Sequence, residues 1–139
     1  MLSEYCPRYL TMPRDLPLSN GSLHVNFDAR YQMRDVYFPH VGKENHTLGS
    51  INRLGIWADG RFAWLSDWQL DLRYKSDALV TEVTGRHDGL GLRVAITDAV
   101  DCDVNVLVRR FNVFDERGEA RCVRIFAHID PNIGESAIA

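Results

Sequence analysis

The residues of this chain that could do chemistry are concentrated in residues 34–64, RDVYFPHVGKENHTLGSINRLGIWADGRFAW. Asp35 and Glu44 within this stretch, together with Asp67 and Asp71 after it, could supply two carboxylates for acid/base catalysis on a glycosidic bond. That chemistry requires carboxyl groups that face each other across a sugar ring at a defined separation. Spacing on separate predicted strands does not provide this geometry, so the sequence favours solvated or ion-paired carboxylates over a catalytic pair.

The tripeptide Glu44-Asn45-His46 places two potential metal ligands two residues apart. A Glu and a His are only half of a typical site, and no Cys or His follows at a spacing that would complete one. Polar side chains in loops commonly hold the backbone groups of a neighbouring turn. We therefore expect this tripeptide to hold the backbone of a loop, and the sequence predicts no metal and no cofactor.

Aromatic residues are the second chemical feature of the chain. Trp57, Phe62, Trp64 and Trp68 could build a platform that stacks on sugar rings, because an aromatic face suits the apolar side of a pyranose. In a β protein of this size, such residues more often lie in a core or an interface. No G-x-S-x-G nucleophile elbow, P-loop or dinucleotide fingerprint is present.

The charge and hydropathy patterns exclude several classes of partner. The net charge is -3 and the pI is about 5.9, so no basic field attracts nucleic acid or an anionic membrane. No apolar run approaches the ~18 residues that span a bilayer, and the N-terminus lacks the pattern of a secretory signal. The three cysteines are an odd number and widely spaced, which favours reduced thiols. We therefore expect a cytoplasmic protein.

Short alternating runs, separated by turn residues, predict the strands that would position these side chains. The tight turns Asp59-Gly60 and Asp88-Gly89 predict hairpins. A change of apolar phase predicts a bulge near Arg109, and apolar residues on both faces of the last run predict a central strand. The predicted strands lie at residues 22–28, 31–38, 52–58, 61–65, 68–74, 79–84, 90–98, 104–114 and 120–129, with a loop at residues 40–50.

This pattern of short strands predicts an all-β fold, an antiparallel β-sandwich. Residues 1–19 contain three prolines and little periodicity, so we expect an extended N-terminal arm there. Residues 20–139 are then the sandwich domain. Nothing in the sequence shows the sustained 3.6-residue period of a helix.

Three motifs make the chain similar to a known family. They are N-G-x-L-x-V-x-F-D at residues 20–28, R-D-x-Y-x-P-x-V-G-x-E-N-H at residues 34–46 and G-x-W-x-D-G-x-F at residues 55–62. With the closing run HIDPNIGESA, they make nearly the whole chain resemble the N-terminal domain of prokaryotic glycoside hydrolase family 15 proteins. That family includes glucoamylases, glucodextranases and trehalases.

The resemblance implies a large antiparallel β-sandwich, often called a supersandwich, that packs on a following (α/α)6 barrel. In the family, two glutamates of the barrel catalyse an inverting hydrolysis of α-glucosides, so this chain alone is expected to be inactive. The chain ends in what looks like the middle of the family's sandwich, and we expect an incomplete half of that domain. An open half-sandwich exposes apolar faces and strand edges, which predicts pairing with a second copy.

The resemblance also implies which residues contact the barrel or reach the rim of its substrate pocket. The candidate contact residues are Asp35, Tyr37, Pro39, Glu44, Asn45, His46, Trp57 and Trp64.

Two alternative functions stay open from the sequence. The chain could be a free-standing β-sandwich that holds α-glucan through exposed aromatics, or a structural dimerisation module.

Overall fold

The computed structural model describes residues 15–133, which form an all-β, antiparallel fold, so the predicted fold class is confirmed. A short 3₁₀ turn at Leu65–Asp67 follows the fifth strand. None of the helical segments in the described residues is long and apolar enough to cross a membrane. The strands are β1 (Asp15–Ser19), β2 (His24–Asp28), β3 (Met33–Tyr37), β4 (Arg53–Ala58), β5 (Arg61–Trp64), β6 (Gln69–Tyr74), β7 (Thr81–His87), β8 (Leu92–Val100), β9 (Leu107–Asp115) and β10 (Val123–His128).

The strands form three antiparallel sheets, in the orders β1-β2-β3, β10-β4-β5 and β6-β7-β8-β9. Met33 and Asn52 exchange backbone N–H···O bonds of 2.8 and 3.1 Å, which join the edge of the first sheet to the start of β4. We describe the two three-stranded sheets, joined at this bridge, as one layer of the sandwich. The four-stranded sheet is the second layer of the sandwich.

The hydrophobic core draws on all three sheets. Side chains alternate along each strand, so one apolar face points inward. In β2 this inward face carries Val25 and Phe27. Burial of each Val, Leu, Ile or Phe stabilises the fold by about 1.5–3 kcal/mol, so this shared core holds the layers together. The buried residues include Leu16, Leu18, Val25, Phe27, Leu54, Ile56, Ala58, Val83, Leu92, Val94 and Ile96.

A buried carboxylate lies at the edge of this apolar core. Asp98 of β8 is 1% exposed, and its Oδ2 accepts hydrogen bonds from the hydroxyls of Tyr31 at 2.7 Å and Thr81 at 2.8 Å. Its Oδ1 accepts a bond of 2.8 Å from Nε of Arg109, whose Nη2 donates to the Tyr31 hydroxyl oxygen at 2.7 Å. Because a buried charge is tolerated only when it is paired and hydrogen-bonded, these contacts fix the β2–β3 turn against the four-stranded sheet.

Tyr31 occupies an unusual position in the β2–β3 turn. Its φ of 58° lies in the left-handed region, which bulky residues rarely adopt. The Asp28 carboxylate holds this turn by accepting the backbone N–H groups of Arg30 at 2.9 Å and Gln32 at 3.0 Å. Burial raises the pKa of the Tyr31 hydroxyl far above its usual value; the nearby Arg109 charge opposes that rise and Asp98 adds to it. The fold therefore requires the protonated hydroxyl.

The predicted bulge near Arg109 is wrong. β8 and β9 pair without a register shift from Leu92↔Asp115 to Val100↔Leu107. Arg109 points inward to Asp98, in phase with Leu107, while Val108 points outward. The apparent phase change in the sequence arises because a charged residue takes an inward position. The register shift that the structure does contain lies between β2 and β3, at Asn26 and Phe27.

Two further expectations differ from the structure. β10 was predicted to be central, but it pairs only with β4 and forms an edge of its sheet within the described residues. Both of its faces are largely exposed instead: Ile125, which pairs with the buried Ile56, is 44% accessible, and Phe126 on the opposite face is 46% accessible. The predicted arm at residues 1–19 overlaps β1, because Leu16 and Leu18 alternate into the core and pair with β2. Residues 1–14 lie outside the described part of the chain.

The two predicted hairpins differ in their outcome. Asp59 and Gly60 have φ values of 52° and 77°, as a type I′ turn requires, and connect β4 to β5 as predicted. Asp88-Gly89 lies in the β7–β8 connection, but His87 pairs with Leu92, so that loop has four residues rather than two. Gly91 supplies the positive φ of 59° there.

Replacing the buried phenol tests the Asp98 network. We expect Tyr31→Phe to lower the free energy of unfolding by about 1–3 kcal/mol at pH 7, because Asp98 loses a donor and Arg109 loses an acceptor. Guanidinium chloride unfolding measures this. Tyr74→Phe, which removes a more exposed hydroxyl bonded to the Pro17 carbonyl, is the control and should have a smaller effect.

The same variant tests the raised pKa of Tyr31. In the unfolded chain a tyrosine titrates near pH 10, whereas in the fold it does so only at much higher pH. The stability contributed by the neutral phenol is therefore complete below pH 10 and falls above it, by up to about 1.4 kcal/mol per pH unit. The wild type should lose stability more steeply above pH 10 than Tyr31→Phe; equal slopes would contradict the assignment.

Candidate functional site

The loop that follows β3 is organised by the side chain of Asn45. Its Oδ1 accepts the backbone N–H groups of Val36 at 3.1 Å and Thr47 at 3.2 Å, and its Nδ2 donates to Oδ1 of Asp35 at 2.8 Å. The Thr47 hydroxyl is buried and donates to the Arg34 carbonyl at 2.7 Å. Asn45 therefore holds loop backbone, as the sequence predicts. We call residues 34–50 the signature loop.

Asp35 lies between two amides. Besides Asn45, the Nδ2 of Asn26 on β2 donates to its other carboxylate oxygen at 3.3 Å. The Oδ1 of Asn26 is buried and has no hydrogen-bond partner among the described residues. The Asp35 carboxylate on β3 thus ties Asn45, later in the signature loop, to Asn26 on β2.

Glu44 and His46 bind a segment from the other end of the chain. Nδ2 of Asn132 donates to the Glu44 carboxylate at 2.8 Å, and Nδ1 of His46 lies 3.0 Å from the Asn132 carbonyl oxygen. The backbone N–H of Asn132 donates to the His46 carbonyl at 2.7 Å. Asp130 also joins this contact, since its carboxylate accepts the Ser50 hydroxyl at 2.8 Å. We call residues 129–133 the closing segment.

The four carboxylates considered for acid/base chemistry have different surroundings. Asp35 and Glu44 are bound by the amides of asparagines. Asp67 lies in the turn after β5, and Asp71 lies on β6, where it is exposed and 3.9 Å from Arg73. Within residues 15–133, no group of three or more His, Cys, Asp or Glu side chains is arranged to hold a metal ion. The hydrogen bonds of Asp35 and Glu44 are those of carboxylates that hold structure.

A polar cleft of about 750 Å³ lies beside the signature loop. Acidic and basic side chains both line it, and Nη1 of Arg34 lies 3.5 Å from Oδ2 of Asp28. Such a surface offers donors and acceptors to a polyhydroxylated molecule. The polar residues that line it are Asn26, Asp28, Arg30, Gln32, Arg34 and Asp35.

Trp57 and Trp64 lie on a different surface, the outward side of the β10-β4-β5 sheet. The pairs Trp57↔Phe62 and Phe126↔Gly55 show that side chains of all three strands share this side. We call it the aromatic face. Its members are Arg53, Trp57, Phe62, Trp64, Arg124, Phe126 and His128.

The aromatic face is held together by contacts between rings and guanidinium groups. The Phe62 ring meets Trp64 edge-on, with ring centroids 4.7 Å apart, and lies 5.8 Å from Phe126. The Arg53 guanidinium lies 3.9 Å above the Trp64 ring, a cation–π distance. Gly55 lies beneath these rings, and a Cβ there would overlap the Phe62 ring. The close approach of the rings therefore requires a glycine.

The eight candidate residues thus fall into two groups. Six belong to the signature loop and its flanks, where Tyr37 packs against the His24 ring and Pro39 is exposed. Trp57 and Trp64 belong to the aromatic face. Trp68, considered with them as a sugar platform, is only 6% exposed and packs against His87 in the core. Phe126, which is 46% exposed and contacts Phe62, belongs to the aromatic face instead of Trp68.

Sequence patterns did not single out Asn132 or Phe126. Asn132 stands in the closing run HIDPNIGESA, but nothing in that run predicts its contact with Glu44. The apolar neighbours of Phe126 predict a buried strand, whereas the structure exposes its ring. Both residues bring distant parts of the chain together, and a single sequence gives no direct signal for such contacts.

Comparisons with known proteins found no match: no family model, no curated protein and no solved structure. The similarity to family 15 glycoside hydrolases therefore rests on the motifs at residues 20–28, 34–46 and 55–62 and on the closing run. A functional assignment depends on these motifs and on the geometry of the signature loop and the aromatic face.

Truncating Asn45 tests whether it organises the signature loop. We expect Asn45→Ala to lower the free energy of unfolding by about 1–3 kcal/mol, because two backbone N–H groups and Asp35 lose their partner. Amide hydrogen exchange at Val36 and Thr47 should accelerate. Lys43→Ala, an exposed neighbour in the same loop, should change neither quantity. Unchanged exchange at Val36 and Thr47 in Asn45→Ala would show that another contact holds the loop.

Proposed function

We propose that this chain is the non-catalytic N-terminal β-sandwich module of a glucoamylase-like glycoside hydrolase. The parent protein acts on α-glucosides, either α-glucan or trehalose, and its catalytic (α/α)6 barrel packs against the signature loop. The observation that carries the proposal is the contact between the signature loop and the closing segment. These are two of the sequence runs on which the family resemblance rests.

The contact gives the residues of both runs a common structural task. Glu44 and Asn132 are 88 positions apart in the sequence and share a hydrogen bond of 2.8 Å. His46 binds the Asn132 backbone, so the chain is joined there by both side-chain and main-chain bonds. The contact needs particular residue types in both runs, Glu44 and His46 in one and Asn132 in the other, which explains why both runs belong to the resemblance. This supports a scaffolding role for the loop rather than a catalytic one.

The outer side of the signature loop suits a protein partner. Asn45 and Asp35 fix the inside of the loop, while large apolar residues project from it. Phe38 is 43% exposed, and Val41 and Leu48 are each 60% exposed. Several exposed apolar side chains on an otherwise well-held loop suit a surface that another domain covers. The barrel of the parent protein is the partner that the resemblance implies.

Hydrolysis assays test this proposal. Maltose, maltooligosaccharides and trehalose are offered to the 139-residue chain and to the polypeptide extended through the reading frame that follows it. We expect hydrolysis only by the extended polypeptide, because the catalytic carboxylates belong to the barrel.

Two variants of the extended polypeptide sharpen the assay. Loss of a general acid or base lowers the rate by about 10²–10⁴-fold, so Asp35→Asn and Glu44→Gln should retain kcat within about tenfold of the wild type. Hydrolysis by the 139-residue chain alone would contradict the proposal. An extended polypeptide without activity on any of the three substrates would contradict it as well.

The aromatic face favours a second candidate function, direct binding of α-glucan. Phe62 and Phe126 are each 46% exposed, and their rings meet edge to face on one side of the sheet, with centroids 5.8 Å apart. Exposed aromatic rings stack on the apolar side of pyranose rings. In this alternative the chain acts as a free-standing carbohydrate-binding sandwich.

A matched pair of variants tests glucan binding. Phe126→Ala removes a ring from the aromatic face, and Phe114→Ala removes a ring of similar exposure from the outward side of the other layer. If the aromatic face binds sugar, titration with maltoheptaose should show weakening of about tenfold in Phe126→Ala only, since a ring contact contributes about 1 kcal/mol or more. No saturable binding by the wild type, or equal weakening in both variants, would rule this function out.

A further inference from the structure

Three turns meet at one end of the sandwich and bring three arginines together. Arg61 begins β5, directly after the Asp59-Gly60 turn, and Gly89 lies in the β7–β8 turn. Arg117 and Arg121 lie in the connection between β9 and β10. These residues enclose a cavity of about 280 Å³, which we call the arginine pocket. Its lining consists of Ala58, Asp59, Arg61, Gly89, Leu90, Arg117 and Arg121.

Arg121 forms the fixed wall of the arginine pocket. Its side chain is 6% exposed, and it pairs with Asp115 at 2.6 Å and with Asp59 at 2.7 Å. Its Nη2 also donates to the carbonyls of Leu90 at 2.6 Å and Gly91 at 2.9 Å. Hydrogen bonding to Asp59 raises the pKa of this guanidinium further. Arg121 is thus a permanent cation that joins the β7–β8 turn to the β9–β10 connection.

Arg61 and Arg117 share one acceptor. Nη1 of Arg61 donates to the Gly89 carbonyl at 3.1 Å, and Nη2 of Arg117 donates to the same oxygen at 3.0 Å. The two donor nitrogens therefore lie within about 6 Å of each other, a separation at which like charges repel. A neutral carbonyl does not cancel either charge. Each guanidinium has five N–H groups, so both retain donors beyond this bond.

The carboxylates of the pocket do not balance its arginines. Asp59 is the one acidic residue in the lining, and it is shared between Arg121 at 2.7 Å and Arg117 at 3.6 Å. Arg61 makes no ion pair with any carboxylate within residues 15–133. The nearby Asp88 and Glu116 are bound by Arg86, at 3.0 and 3.1 Å, and do not line the cavity. Asp115 also pairs with Arg121, at 2.6 Å, so two carboxylates face three arginines and a net positive charge remains.

We propose that the arginine pocket binds a small tetrahedral oxyanion, of the phosphate or sulfate class. Guanidinium groups recognise such anions by paired, charge-assisted hydrogen bonds, and two or three converging guanidiniums are a common form of phosphate site. The anion accepts the remaining N–H groups of Arg61 and Arg117 and relieves the repulsion between them. This site is separate from both the signature loop and the aromatic face, and it does not depend on the proposed hydrolase role.

An anion bound to Arg61 would join the β4–β5 hairpin of one layer to the β7–β8 turn of the other, because both elements line the arginine pocket. A ligand that binds only the folded chain stabilises it by mass action. Added phosphate or sulfate should therefore raise the melting temperature relative to sodium chloride at the same ionic strength. Calorimetric titration of the 139-residue chain with inorganic phosphate, and separately with sulfate, measures the binding itself.

Arginine variants test whether the measured phosphate binding occurs in the arginine pocket. Arg61 is exposed, so Arg61→Gln should fold normally and weaken phosphate binding at least about fivefold through loss of a charge-assisted contact. Arg117→Gln should do the same. Arg110→Gln removes an exposed arginine from the outward side of β9 and should leave the affinity unchanged within about twofold.

The proposal is supported if wild type and Arg110→Gln bind phosphate saturably and the two pocket variants bind it more weakly. It is overturned if the wild type shows no saturable binding of either anion up to about 20 mM, far above the range of a built arginine site. Equal weakening in Arg61→Gln and Arg110→Gln would also overturn it, since the response would then reflect net charge alone.

Discussion

The fold depends on one buried negative charge. Asp98 lies within the four-stranded sheet, and it is stable there only because Tyr31, Thr81 and Arg109 surround it with donors. Tyr31 comes from the turn of the opposite layer, so the charge cannot be satisfied unless the two layers meet in this arrangement. Apolar burial favours many ways of stacking two sheets. The Asp98 network favours one of them.

Polar side chains hold the rest of the structure in the same manner. Asn45 organises the signature loop, Asn132 fastens the closing segment to it, and Arg121 joins two turns at one end of the sandwich. In each case a single side chain satisfies backbone or carboxylate groups of a distant segment. The residues that first suggest catalysis, Asp35 and Glu44, are employed in this way. The surfaces that we propose for recognition are the exposed apolar residues of the signature loop, the aromatic face and the arginine pocket.

Much of the fold was predictable because strands with one buried face alternate visibly in sequence. The β4–β5 hairpin was predicted correctly, since a type I′ turn needs positive φ at both central positions and Asp-Gly is one of the few residue pairs that adopt it readily. Arg109 misled the prediction of β9, because an inward charge breaks the apolar pattern that a strand otherwise shows. The candidate site was only partly accessible. Side chains within one motif could be grouped by spacing, whereas the partners Asn132 and Phe126 are supplied by the fold.

The proposed scaffolding role rests on the contact in which the signature loop and the closing segment hold each other in place. A double-mutant cycle of Glu44→Ala and Asn132→Ala, followed by chemical unfolding, tests it most directly. Residues in direct contact show coupling, and we predict an interaction free energy of about 0.5–1.5 kcal/mol between these two side chains. Additive effects, with a coupling near zero, would contradict the claim and return Glu44 to consideration as a functional carboxylate.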